Sequence, residues 1–299
     1  MHPLPINYDS PGELRQFLDS QGLGMRKKYG QNFLINPAMR LMLLDALEIK
    51  RGDEVWEIGA GLGAMTAGLL ERGALVTAFE IDPAFSRVLN ELFGAYSFGI
   101  KPSFRLVEGD VLKTWKLVNG SEKELFLFGN LPYNIAAALL AGLIEQKRIF
   151  RRMVVTVQKE VAQRMAALPG TSDYSSFSVL CSSVYNVTLL NVIKSSSFYP
   201  APNVDSQGVK LDLKSEIDVK PALFYPLVRH LFSSRRKTMR NNLTSFLLSI
   251  NRETGDVKDM VALVLKKADI NGDRRAETLD KNEFTALAAF LEEFAKHGT

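Results

Sequence analysis

Residues 54 to 81 read EVWEIGAGLGAMTAGLLERGALVTAFEI: an apolar run, glycines at 59, 61 and 63, a helical stretch, then a second apolar run. Few folds accept that order. Two strands joined by a helix lie parallel, and parallel strands are buried on both faces by their crossover helices. The pattern then repeats. Pro83 to Phe93 reads as a helix, Ser103 to Val107 and Leu125 to Phe128 as strands, Ile135 to Gln146 as a helix, and Met153 to Val157 as a strand. Such alternation predicts an α/β domain, a parallel sheet with helices on both sides.

The flanks complete the domain and then leave it. Asn36 is an N-cap with Pro37 at the first helical position, and Met39, Met42, Leu43, Ala46 and Leu47 follow at helical spacing. From Asn186 to Leu213 the segments are β-rich, broken by the Ser195 to Asp205 loop, which predicts two strands closing one edge of the sheet. Beyond Lys214 only helical periodicity survives, in Leu223, Leu227 and Leu231 and then Met239, Leu243, Phe246 and Leu247. We therefore expect residues 1–213 to form the α/β domain, with 1–24 as an N-terminal extension, and 214–299 a small helical domain. A chain of 299 residues holds both comfortably.

In open α/β sheets ligands bind beyond the C-terminal ends of the strands. The chemistry-bearing residues cluster at those ends. Gly59, Gly61 and Gly63 allow a ligand close to the backbone, and Glu80, ending the next strand, can accept both hydroxyls of a ribose. Asp110, in Glu108-Gly109-Asp110, can accept from an adenine amino group. A glycine loop alone would suit nicotinamide, flavin or S-adenosylmethionine. The stretch Asn130-Leu131-Pro132-Tyr133 favours the last. An exocyclic adenine nitrogen is a poor nucleophile because its lone pair is delocalised into the ring. Acceptors aimed at its N–H groups favour the pyramidal geometry that releases the pair. Asn130 offers a side-chain oxygen, and Leu131, extended because it precedes proline, can offer its backbone carbonyl. Tyr133 offers a ring for an unstacked base.

Net charge is +4, but basic residues cluster at Arg26-Lys27-Lys28, at Lys147-Arg148 with Arg151-Arg152, and from Arg229 to Arg240, which contains no acid. Three such clusters beside a base clamp suit an anionic polymer. Cys181 is the single cysteine, which excludes an intrachain disulfide. The three histidines are scattered, so no metal site is expected, and Asp269 to Asp273 has its glycine in the wrong place for a calcium loop. No apolar run among the first 30 residues suits a signal peptide or membrane span, and a cytoplasmic protein without membrane association is expected.

Read together, these motifs resemble the ribosomal RNA adenine N6-dimethyltransferase family, most closely its bacterial small-subunit members. Further signposts are Lys28-Tyr29-Gly30-Gln31-Asn32-Phe33-Leu34, Gln158-Lys159-Glu160-Val161-Ala162, the segment from Phe198 to Ser206 and the segment from Phe232 to Leu243. The resemblance spans nearly the whole chain. It implies a Rossmann-like class I S-adenosylmethionine-dependent methyltransferase with a small C-terminal helical domain, which dimethylates two adjacent adenosines near the 3′ end of small-subunit (16S) ribosomal RNA, as a monomer acting on a pre-30S particle. It also implies that Asn32, Leu34, Gly59, Gly61, Glu80, Asp110 and Asn130 contact the cofactor, and that Asn130, Leu131 and Tyr133 hold the target base while Phe198 stacks on its other face. Arg26, Lys27, Lys28, Arg235, Arg236, Lys237 and Arg240 would meet RNA phosphates.

The chain departs from the family pattern at Ala60, at Ser175-Ser176-Phe177 and at Gln207-Gly208. Alternatives are a large-subunit adenine methyltransferase of the antibiotic-resistance type and an assembly checkpoint in which binding outweighs chemistry. A DNA adenine methyltransferase would more usually carry a second proline in place of Leu131.

Overall fold

Seven strands build one sheet: β1 (Glu54–Ile58), β2 (Leu75–Glu80), β3 (Phe104–Glu108), β4 (Leu125–Asn130), β5 (Arg152–Gln158), β6 (Tyr185–Ile193) and β7 (Ser206–Leu213). In the computed structural model they lie in the order β3-β2-β1-β4-β5-β7-β6. The first five are parallel, and β7 runs antiparallel to β5. The order reverses between β1 and β4, where a ligand crevice is expected. The structure describes residues 6–24, 31–98, 101–118, 125–132, 135–216, 220–250 and 257–297.

One compact unit comprises 1–162 with 186–213, and a second comprises 163–185 with 214–299. In the first, helices α1 (Pro11–Ser20), α2 (Pro37–Leu47), α3 (Ala64–Glu71), α4 (Pro83–Phe93), α5 (Val111–Thr114) and α6 (Ala136–Glu145) surround the sheet. Local chemistry sets where several of them start. Asn36 Oδ1 accepts from Met39 N at 3.1 Å with Pro37 behind it, and Leu43, Leu44 and Leu47 turn to the core. Each such leucine contributes about 2 kcal/mol by burial. One strand in from the far edge, Gln207-Gly208 does not interrupt β7. A Cβ on Gly208 would lie 3.1 Å from Leu43 Cδ2 and from Leu190 Cβ, and Gln207 Nε2 donates to Leu190 O at 3.0 Å. The missing side chain makes room for the leucines, and the amide is satisfied.

The second unit contains α8 (Ser176–Val184), α9 (Phe224–Ser233), α10 (Met239–Ile250), α11 (Val257–Lys267) and α12 (Lys281–His297); α7 (Lys159–Ala166) spans the boundary between the units. This division differs from a boundary at 213/214. Residues 163–185 join the helical unit because Tyr174 and Val179 are buried among Leu227, Leu231, Met239 and Leu243, and Tyr174 donates to Leu279 O at 2.9 Å. Helical periodicity read along the chain cannot show that an earlier segment packs with later helices. Ser175-Ser176-Phe177 opens α8, where Ser175 N donates to Ser178 Oγ at 3.0 Å.

Candidate cofactor and base site

A cleft opens at the reversal point, between the loop leaving β1 and the end of β4. Its lining includes Asn32, Leu34, Glu57, Gly59, Gly61, Glu80 and Asn130. Gly59 and Gly61 have φ of +74° and +60°, the left-handed region that glycine enters without cost. A Cβ on Gly61 would stand 3.2 Å from the Phe33 ring, so a side chain there would occupy the cleft. Gly63 serves packing instead: a Cβ would meet Phe93 Cε2 at 2.4 Å.

Two buried carboxyls face this loop. Glu80 accepts from Gly61 N and from Asp82 N, each at 2.8 Å, so both oxygens are oriented while each keeps a lone pair for a ligand hydroxyl. Burial raises its pKa, and these backbone donors oppose the rise. Glu57, only 2 % exposed, accepts from the Thr66 hydroxyl at 2.6 Å. Burial pushes its carboxyl up to about 8, with the charge of Glu80 adding to the rise. Glu57 was missed as a site residue in the sequence reading. A lone acid in the otherwise apolar run VWEI was the available signal.

Asn130 closes the cleft at the end of β4. Its Nδ2 donates to Asn32 O at 2.9 Å, which directs the amide and leaves Oδ1 as an acceptor. Neither residue holds this geometry alone, since they lie 98 residues apart. Leu131 N donates to Thr156 O at 3.0 Å, so the chain stays tied to β5 for one residue beyond β4, and the Leu131 side chain is buried.

The model of the family described as "Ribosomal RNA adenine dimethylase" matches residues 22–287. The chain belongs to the ribosomal RNA adenine dimethylase family. This dimethylase is 44 % identical over 291 residues to a ribosomal RNA small subunit methyltransferase A of Treponema denticola, covering 96 % of each chain. Among solved structures it is similar to a dimethyladenosine transferase of Plasmodium falciparum, with 30 % identity, a TM-score of 0.69 and coverage of 88 % of this chain and 97 % of that one. A 23S rRNA methyltransferase shares the fold at 20 % identity and a TM-score of 0.60, covering 87 % and 99 %.

The dimethylase uses S-adenosylmethionine as methyl donor, and the cleft fits it. The glycine cradle leaves room that side chains would fill, Glu80 presents oriented oxygens, and Asn130 stands at the strand end. Among the described residues no cluster of three or more His, Cys, Asp or Glu could hold a metal ion, and no helix is long and apolar enough to cross a membrane.

Asp110 caps α5, its Oδ1 accepting from Leu112 N at 3.0 Å, which leaves Oδ2 as an acceptor. Phe198 is buried in the core, because it pairs with Leu34 in a two-residue antiparallel ladder that turns its ring inward. Its neighbour Tyr199, paired with Phe33, is half-buried against the N-terminal segment. Tyr133, Arg26, Lys27 and Lys28 lie outside the described residues. Cys181 is fully buried and burial pushes its thiol up, which suits a packed residue.

The second unit carries Arg235, Arg236, Lys237 and Arg240, all exposed, around the α9–α10 connection. They are not equivalent. Arg235 Nε donates to Glu277 at 2.9 Å and its guanidinium also reaches Ser172 O, so it ties loops of its own unit together. Arg240 lies 3.9 Å from Asp273. Arg236 and Lys237 are exposed and have no ion-pair partner among the described residues. Asn242, fully buried, donates to the carbonyls of Leu231 at 3.3 Å and Ser234 at 3.2 Å, bracing the turn that presents them.

Proposed function

We propose that the chain dimethylates N6 of two adjacent adenosines near the 3′ end of small-subunit ribosomal RNA, giving N6,N6-dimethyladenosine. The observation that carries the base assignment is the Asn130 amide, held by the Asn32 carbonyl with its oxygen left to accept. The Treponema denticola relative, a small subunit methyltransferase by name, supports the choice of RNA.

The donor supplies an electrophilic methyl on a positively charged sulfur. Glu80 fixes the ribose end through its hydroxyls, and the glycine loop lets the ligand backbone approach. Asp110, with one oxygen committed to the helix cap, offers the other to the adenine amino group of the donor. Asn130 Oδ1 and the Leu131 carbonyl accept from the target N6–H groups, and Tyr133 supplies the stacking ring. The N6 lone pair then forms the new C–N bond as the C–S bond breaks. The N6 proton, acidic once nitrogen carries positive charge, departs to solvent, so no strong general base is needed. Rate comes mainly from alignment.

An unstacked adenosine in a loop or at a helix end is the form a clamp can reach. Arg236 and Lys237 hold phosphates, assisted by the Arg26 to Lys28 cluster. The substrate is a partly assembled small subunit, the protein acts as a monomer, and the compartment is the cytoplasm. Labelled S-adenosylmethionine, incubated with small subunits from cells lacking the modification, should yield dimethyladenosine near the 3′ end on nucleoside analysis. Label on large-subunit RNA alone would overturn the substrate assignment.

A further inference from the structure

We infer that Tyr8 is a positioning residue of the cofactor site, tethering the glycine loop from the N-terminal segment so that the loop is preset for its ligand. The inference rests on the cofactor placement above and is independent of which RNA is methylated. Asn7-Tyr8-Asp9-Ser10-Pro11 is a turn that leads into α1. Asn7 Oδ1 accepts from Asp9 N at 3.0 Å, Ser10 Oγ accepts from Glu13 N at 3.3 Å, and Pro11 takes the first helical position. Leu14 and Leu18, one turn apart, turn the same face of α1 inward. They are buried with Ile6 and Leu23 against Leu62 of the glycine loop and against Phe85 and Val88 of α4.

Tyr8 is held at this junction by more than packing. Arg40 of α2 pairs with the Asp9 carboxylate and donates to Leu34 O at 2.8 Å, so one largely buried guanidinium joins the N-terminal turn to a cleft-lining residue. The Tyr8 hydroxyl then donates to Leu62 O at 2.8 Å. Burial, and after it the Glu57 carboxyl, push the phenol well up, so Tyr8 remains a donor across the working pH range.

Leu62 directly follows Gly61, whose N–H is bound by Glu80. Consecutive residues of a loop with three left-handed glycines are thus tethered from two separate elements. Such a loop has unusual conformational freedom, and holding it before the ligand arrives raises affinity by removing ordering cost from binding.

The test uses the full chain and S-adenosylhomocysteine in titration calorimetry, with thermal unfolding of the ligand-free protein alongside. Tyr8→Phe keeps the ring and removes the tether. It should raise Kd by about three- to tenfold, the range of one net hydrogen bond, with an unfolding midpoint close to wild type. In turnover, the KM for S-adenosylmethionine should rise while kcat at saturation is kept. Leu14→Ala, which loosens the same cluster but keeps the hydroxyl, should lower the midpoint further yet raise Kd less. If Leu14→Ala weakens binding more than Tyr8→Phe, affinity follows packing and the inference fails. Glu80→Gln separates the two levels. Impaired binding there with unchanged Tyr8→Phe refutes the tether alone, whereas unchanged binding in Glu80→Gln removes the cofactor placement beneath it.

Discussion

Glu57→Gln should stabilise the first unit, by an amount that grows with pH. Glu57 is fully enclosed, with its carboxyl raised from 4.5 to about 8 by burial and then by Glu80. In the unfolded chain it ionises near its ordinary value, so between about pH 4.5 and 8 the folded state binds a proton that the unfolded state has released. Stability contributed by that proton is complete below the unfolded value and is lost as pH rises through the folded one. At about 1.4 kcal/mol per pH unit, the loss relative to a neutral isostere is about 1 kcal/mol at pH 5 and about 3 kcal/mol at pH 7, as order-of-magnitude figures. Glutamine never ionises and can still accept the Thr66 hydroxyl, so it should escape the loss.

The assay is favourable because both tryptophans of the chain, Trp56 and Trp115, lie in the first unit. Urea unfolding followed by tryptophan fluorescence at pH 5.5, 7 and 8 therefore reports on the sheet rather than on the helical unit. Wild type should lose stability along this series and Glu57→Gln should lose less, with the gap widening toward pH 8. Parallel pH profiles for the two proteins, or a variant less stable than wild type at pH 8, would refute the reasoning. Either result would mean that burial does not hold the Glu57 carboxyl above its ordinary range in the folded protein.

Asn130→Ala should reduce methyl transfer by at least about a hundredfold, since it removes an acceptor needed in the transition state, while circular dichroism stays that of wild type. Arg236→Ala with Lys237→Ala should weaken RNA binding and flatten its salt dependence by about 0.7 to 0.9 for each phosphate that is no longer neutralised, leaving S-adenosylhomocysteine affinity unchanged; a parallel fall in both affinities would count against a phosphate-binding role. Arg235→Ala should instead lower the thermal midpoint of the helical unit, because its partner Glu277 and the Ser172 carbonyl lose their donor. Gly63→Ala should cost about 2 kcal/mol or more in chemical denaturation, since φ is +89° and the new methyl would overlap Phe93.

Much of this protein is legible along the chain. Periodicity and glycine spacing identify β1 to β5 and the helices α3, α4 and α6 between them, because parallel strands are apolar on both faces and their crossover helices have a separate period. The cleft residues Gly59, Gly61, Glu80 and Asn130 could be named because each sits at a strand's C-terminal end, a position that sequence order supplies. What stayed hidden depends on distant residues. Phe198 looks like a free aromatic in a proline-rich loop until its pairing with Leu34 turns it into the core. The helical unit's claim on residues 163–185 rests on Tyr174 reaching Leu279, and Arg235 differs from Arg236 only through Glu277 and Ser172. Asn130 could be picked out from its place at the end of an apolar strand before Leu131-Pro132. Which way its amide points was decided by the Asn32 carbonyl, because a hydrogen bond between residues 98 positions apart exists only once the chain has folded.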